Sequence, residues 1–423
     1  MTNRPNATSR PTCTMTKIRD LAPSEAVHAY GRLYVGYSCL CAGNLDLRAL
    51  DDAFAELQRQ HTHLGSIIRE TGSGFEFATN NDLPAKVRVF AGEDPHVQAT
   101  GWSAVFDQTE HLAYLDTIPG GEHTRVTLFV HHAIADAHHA LALLEELWGR
   151  YTRLVENDDS VPTEPQPFPA ALEHHLATRK YPGGEISSGL QPPPELLARL
   201  SYQTRPHVLL PTRTRLSKAE TKALINHGHD TGLTINALVS AAIIQAHTSP
   251  AALAGYNYVV DIRSRVSPTV APIEATNMVR STVFTPAGDE ENLTSLARRI
   301  GDQLATDLAS GVIHSGVAEA AMSAEAAQQT GSTVTAVGSN WGRIAPLRTP
   351  TGLRIIDFQS YFPPNPLFKS LEDLTGASLE GHVITTYDQQ LNIDNFAGES
   401  SDQAQPHLDR ISDKLRAAIG AHT

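Results

Sequence analysis

The stretch TRVTLFVHHAIADAHH (124–139) carries His131, His132, Asp136, His138 and His139 within nine residues. An imidazole titrates near neutrality, so a single histidine here can take a proton from an alcohol or an amine at pH 7. If the group to be transferred is an acyl chain already activated as a thioester, no protein nucleophile is needed. One base and one oxyanion stabiliser suffice. That economy suits a chain with no GxSxG elbow and no paired catalytic cysteine. A metal site is a second reading, because imidazole and carboxylate suit zinc or non-haem iron. HHxxxDxHH does not match HExxH, however, and adjacent histidines at a strand end point in opposed directions. A third reading leaves the histidines as satisfied core or loop residues and Asp136 as a helix cap alone.

The neighbouring residues say what must hold the cluster. RVTLFV (125–130) reads as a strand, and ALALLEELWGRYTRLV (140–155) sets Leu141, Leu144, Leu147, Trp148 and Tyr151 on one helical face. The cluster therefore occupies a strand-to-helix turn, a place where side chains reach the rim of a sheet. Asp136 stands where its carboxylate can accept an orphan N–H of the helix. LDLRALDDAFAELQRQH (45–61) is a second amphipathic helix with Leu47, Leu50, Phe54 and Leu57 in its stripe, and KVRVF (86–90) is a strand.

Beyond residue 200 the same mixture returns. KAETKALINHGHD (218–230), TINALVSAAIIQAHT (234–248), LTSLARRIGDQLATDLASG (293–311) and LDRISDKLRAAIGA (408–421) read as helices, with Thr234 a cap for the second. YNYVVDIRSRV (256–266), STVTAVGSNWG (332–342), GLRIIDFQSYF (352–362) and HVITTYDQQLNI (382–393) read as strands. Breaker-rich runs at 155–169 and 181–195 place a boundary near residue 200. The expectation is an α/β chain in two parts, 1–200 and 201–423.

Composition narrows the classes. The 423 residues are 41% apolar and 19% charged, an ordinary globular balance large enough for a core without disulfides. The formal net charge of −13 argues against nucleic acid and against an anionic membrane surface as partner. The longest apolar run, NALVSAAIIQA (236–246), falls short of the ~20 residues of a bilayer span, so no transmembrane segment is expected. Cys13, Cys39 and Cys41 form no CxxC, which suits a reducing, cytoplasmic setting. The first seventeen residues lack an apolar h-region and read as a loosely attached tail.

HHAIADAHH resembles the HHxxxDG motif of the condensation-domain and chloramphenicol acetyltransferase superfamily. The likeness is strongest to the polyketide-associated acyltransferases typified by phthiocerol dimycocerosyl transferase. It extends, in order, through LAPSEAVHAY, HHAIADAHHALALLEELWGRYT, LTINALVSAAI, VVDIRSRVSPTVAPIEATNMV and LRTPTGLRIID. The resemblance implies two chloramphenicol-acetyltransferase-like α/β domains in a V with a central tunnel. It implies an O-acyltransferase working on a CoA or carrier-protein thioester and a hydroxyl acceptor, with no bound cofactor or metal, as a monomer. An amide-forming condensation enzyme, or a non-catalytic carrier-protein-binding relative, is the alternative. The family's base falls on His132, and its structural aspartate on Asp136. The family's D-x-R pattern falls on Asp261 and Arg263, which makes Arg263 the expected ion-pair partner of Asp136. Ser339, Asn340 and Trp341 of SNWG match a segment that borders the family's tunnel, and Asn277 matches an asparagine near its domain contact. His131 is a further candidate for a tunnel or substrate contact, and Arg348 matches an arginine suited to carrier docking or substrate approach. Ala137 stands where the family has glycine, and a methyl there would narrow the pocket.

Overall fold

A computed structural model of the chain describes residues 15–79, 85–158, 164–182, 210–247, 253–286, 292–315, 334–363, 378–396 and 401–420. The N-terminal tail with Cys13, the stretch around residue 200 and part of the 155–169 loop lie outside the described residues.

Three sheets organise the described chain. A small antiparallel one joins β1 (Lys17–Asp20), β4 (Gly74–Thr79) and β3 (Ser66–Thr71). A five-stranded sheet runs β12 (Arg354–Tyr361), β2 (Tyr34–Ala42), β7 (His123–His131), β6 (Ala113–Gly120) and β5 (Arg88–Val89). A six-stranded sheet runs β10 (Val279–Phe284), β9 (Leu253–Asp261), β11 (Val334–Arg343), β13 (Ser378–Tyr387), β14 (Gln390–Asn395) and β8 (Thr212–Arg215).

The strand that delivers the histidines is buried on both faces. Val126, Leu128 and Val130 share a core with the helices Leu47–Gln60 and Ala137–Glu156, through Phe54, Leu57, Leu143, Leu147 and Trp148. Phe129 points the other way, into Tyr34, Tyr114 and Tyr361. Period-two alternation thus serves two apolar layers at once, which anchors the strand end without play. The helix Ala137–Glu156 buries Ala140, Leu143, Leu144, Leu147, Trp148 and Tyr151. Leu141, expected on that face, is only partly buried, because the 100° step centres the stripe on Leu143 instead. Leu47, at the start of its helix, is likewise exposed.

The second sheet packs its own helices, Ile235–Ala246, Leu293–Ser310 and Ser401–Ala418, around Leu238, Ile243, Ile300, Leu408 and Ile411. Two details depart from the expectation. HVITTYDQQLNI is a hairpin, not one strand: β13 and β14 meet through Asp388 and Gln389, at φ 45° and 65°. A two-residue turn with both centres left-handed matches strand twist, but Asp-Gln lacks the usual glycine signal. The segment 354–361 leaves the second half and pairs antiparallel with β2, so the five-stranded sheet draws strands from both sides of residue 200. No helix among the described residues is long and apolar enough to cross a membrane.

Candidate active site

Where β7 ends, His131 and His132 part company. The His131 ring turns into the sheet's tyrosine layer, edge-on to Tyr34 at 4.8 Å between centroids, and is fully buried. Its Nδ1 accepts the Ala133 backbone N–H at 3.1 Å, which leaves Nε2 to donate to Gln108 Oε1 at 2.9 Å. Both nitrogens are committed, and burial lowers its pKa to about 3. His131 therefore holds the turn to the sheet through both ring nitrogens.

His132 is only partly buried. Its backbone N–H is held by the Leu33 carbonyl at 2.7 Å. Its ring lies flat on the ring of His28, 4.2 Å between centroids and 4° apart in plane. His28 comes from the helix Pro23–Gly31, within the LAPSEAVHAY segment. Asn277 lies against the pair, its Nδ2 3.2 Å from His132 Nδ1 and 3.2 Å from His28 Nε2. The Val279 N–H donates to Asn277 Oδ1 at 3.1 Å, so the amide presents its NH2 side to the rings. Among the described residues His132 Nε2 has no hydrogen-bond partner. Burial lowers the His132 pKa, opposed by its own backbone carbonyl and by Asp136, so the ring is neutral at pH 7.

Asp136 is almost fully buried and completely bonded. One oxygen caps the helix by accepting the His139 N–H at 3.1 Å. The other accepts Arg263 Nη1 at 2.5 Å and the Met278 N–H at 2.7 Å. Burial opposes ionisation of this carboxyl, but the Arg263 guanidinium and the two backbone donors outweigh it and hold the pKa below the usual value. Arg263 also reaches Asp261 Oδ1 at 3.3 Å and the Pro272 carbonyl at 3.3 Å. Asp136 thus faces Arg263 and the segment 275–279, and it makes no hydrogen bond to His132.

That segment latches to the motif at each residue in turn. Ala275 O accepts His139 Nδ1–H at 2.9 Å, and Thr276 O accepts the Asp136 N–H at 3.1 Å. Thr276 Oγ1 donates to Glu25 Oε1 at 2.7 Å. Glu25, fully buried, is in turn clamped by both nitrogens of the Arg19 fork. The result is a seam in which 131–139, the helix Pro23–Gly31 and 263–279 share one polar network.

The other expected residues have partners of their own. His138 leaves the ring cluster for Asp261 Oδ2 at 2.9 Å, which raises its pKa. Ala137 is the first residue of a regular helix with its methyl against the core. Ser339, Asn340 and Trp341 lie together at a bulge in β11, where Asn340 Oδ1 accepts the N–H of Gly342 at φ 75°. Trp341 donates Nε1–H to Ser339 Oγ and stacks on Tyr37 of β2 at 5.0 Å, tying the second sheet to the first. Arg348 pairs at the surface with Glu156 and Asp158 at the far end of the motif helix. Twenty residues of helix put it about 30 Å from Asp136. A cavity of about 630 Å³, lined by Ala42, His123, Glu122 and Arg354, opens at the end of the β2–β7 pair opposite to His132. Sequence reasoning missed His28, Gln108, Thr276 and Glu25, since each is isolated in the chain and only packing joins it to the motif.

The HHAIAD turn stands at a seam between two mixed α/β halves. The fold is shared with a condensation domain of the calcium-dependent antibiotic synthetase (14% identity, TM-score 0.64, covering 96% of this chain and 97% of that one). It is shared too with the trichothecene 15-O-acetyltransferase of Fusarium sporotrichioides (12% identity, TM-score 0.62, 97% of each chain). Polyketide synthase associated protein 5 from Mycobacterium tuberculosis is similar at 27% identity, with a TM-score of 0.76 over 96% of this chain and 99% of that one. Residues 205–396 match the family model for the phthiocerol/phthiodiolone dimycocerosyl transferase C-terminus. The phthiocerol/phthiodiolone dimycocerosyl transferase of Mycobacterium sp. (strain JLS) is 30% identical over 421 residues, 96% of this chain and 98% of its own length. The Mycobacterium ulcerans (strain Agy99) enzyme of the same name is 31% identical over 81% of this chain and 85% of its own. The chain belongs to the phthiocerol/phthiodiolone dimycocerosyl transferase family and is an acyltransferase.

Proposed function

We propose that the protein is an O-acyltransferase that moves an acyl group from a thioester to a hydroxyl of a polyketide or lipid acceptor, with His132 as general base. The thioester is carried by CoA or by the phosphopantetheine arm of a carrier protein. The observation that carries the reading is the His132 ring, neutral, clamped flat against His28, with Nε2 unengaged. In the arrangement that makes it a base, Nδ1–H turns to the residue's own carbonyl, and Nε2 keeps its lone pair outward. Asn277 then shares its amide hydrogens between the His132 carbonyl, 3.5 Å away, and His28 Nε2.

Nε2 removes the acceptor's proton as its oxygen attacks the thioester carbonyl. The tetrahedral intermediate collapses, the carbon–sulfur bond breaks, and the imidazolium returns the proton to the departing thiolate. No covalent acyl-enzyme forms and no bound cofactor takes part. Asp136 and Arg263 act on the backbone: they fix the turn that carries His132 and do not meet the substrate. The same reading treats 1–200 and 201–423 as two units in a V, with donor and acceptor reaching His132 through a central tunnel from opposite faces. Ser339, Asn340 and Trp341 would border that path, Ala137 would narrow it, and Arg348 would receive a carrier protein. It assigns a monomer in the cytoplasm. The test is thiol release from acyl-CoAs of graded length and from an acyl-loaded carrier protein, with long-chain alcohols or amines as acceptor. Ester formation with alcohols is expected, and amide formation with amines in preference to esters would overturn the assignment.

A further inference from the structure

Outside the seam, three imidazoles converge on one carboxylate at the second sheet. Glu380 and His382 stand two residues apart on β13, hence on the same face of that strand. His247 ends the helix Ile235–Ala246, and His407 belongs to the helix Ser401–Ala418. His247 Nε2 lies 3.3 Å from Glu380 Oε2, His407 Nε2 lies 3.0 Å from Oε1, and His382 Nε2 lies 3.5 Å from Oε1.

Closeness has not produced hydrogen bonds. His247 Nε2, His407 Nε2 and both ring nitrogens of His382 are buried, with no hydrogen-bond partner among the described residues. Four orphaned ring nitrogens around one carboxylate are costly, because a buried polar atom left unpaired loses about 1–3 kcal/mol. A cation among them resolves the arrangement. The ligand atoms of His247, Glu380 and His407 all lie within 4.8 Å of one another. Bonds of about 2.0–2.1 Å to a tetrahedral ion set its ligand atoms roughly 3.3–3.4 Å apart, so the two histidines already stand at coordination spacing from the carboxylate. Two imidazoles and a carboxylate are a donor set that zinc accepts.

We propose that His247, Glu380 and His407 form a zinc site with a fourth position for water, which ties the C-terminal helix and the helix Ile235–Ala246 to β13. His382, with Nε2 3.5 Å from Glu380 Oε1, lies beside this ligand set and outside it. Arg410, on the same helix as His407, donates to the Ala246 carbonyl at 2.6 Å. The site is separate from the HHxxxD turn and takes no part in acyl transfer.

The full chain, stripped with a chelator, is titrated with zinc against a chromophoric competitor, and its melting temperature is followed. One zinc per chain and a rise in Tm of about 2–4 °C or more on re-addition are expected. Glu380→Gln and His407→Gln keep side-chain size and are expected to weaken binding at least tenfold, whereas His132→Gln binds zinc like the parent. Failure of the unaltered chain to take up zinc, or to gain Tm, at 100 µM metal overturns the proposal whatever the variants do. Undiminished binding by both ligand variants, or its loss in His132→Gln alone, overturns it too.

Discussion

The two adjacent histidines of HHAIADAHH have the same chemistry and opposite assignments, and the difference lies in what surrounds each nitrogen. His131 spends both on Gln108 and Ala133, whereas His132 keeps Nε2 clear. Burial holds the His132 pKa below the ordinary value of 6.5, so this ring, the base of the proposed mechanism, takes up its proton at lower pH than a free imidazole. The acid limb of kcat/KM should therefore lie below 6.5, read from a pH profile at subsaturating acyl donor. Asp136 obeys the opposite sign. Its folded pKa lies below its unfolded one, so its contribution to stability is complete above the unfolded value and fades as pH falls through the folded one. Arg263→Ala would leave this carboxylate buried and unpaired, at a cost of about 3–5 kcal/mol in denaturant melts. The same change made in an Asp136→Asn background should cost clearly less. The motif, Asp136 and Arg263 were legible in the sequence through spacing and resemblance. His28 and the His247, Glu380, His382 and His407 cluster were not, since a histidine alone in its helix or strand has no local pattern to betray it.

Among the elements, the amphipathic helices were legible because a 3.6-residue stripe needs only the sequence to be seen. The hairpin at 382–393 was not, because its turn residues are Asp388 and Gln389. Both occupy left-handed backbone that costs a non-glycine residue about 1 kcal/mol or more. Replacing the pair with Asn-Gly should therefore stabilise the chain by about 0.5–1 kcal/mol in an equilibrium melt, with activity unchanged. The Trp341 ring, stacked on Tyr37 across the two sheets, holds in the opposite direction. Trp341→Ala should cost about 3–5 kcal/mol, with the loss seen as a lowered denaturation midpoint.

At the scale of the molecule, two α/β halves were legible from composition and element order, and the crossing of β12 into the first sheet was not. GLRIIDFQSYF reads as a strand, but nothing in it names its partner. Without that strand, β2 has an open edge, and the first core loses Phe358 and the partly buried Ile355. A fragment of residues 1–200 should therefore aggregate or stay expanded by gel filtration, while the whole chain melts with both sheets together. The seam makes the same demand, since Thr276, Asn277 and Met278 of one half hydrogen-bond to the histidine turn of the other. The proposed mechanism turns on one atom, His132 Nε2, and one measurement addresses it: the rate of thiol release by His132→Ala with an acyl-CoA and an alcohol acceptor. A folded variant, by circular dichroism, slowed by about 10²–10⁴-fold is the predicted result. An equally folded variant that releases thiol and forms ester at the parent rate would contradict it.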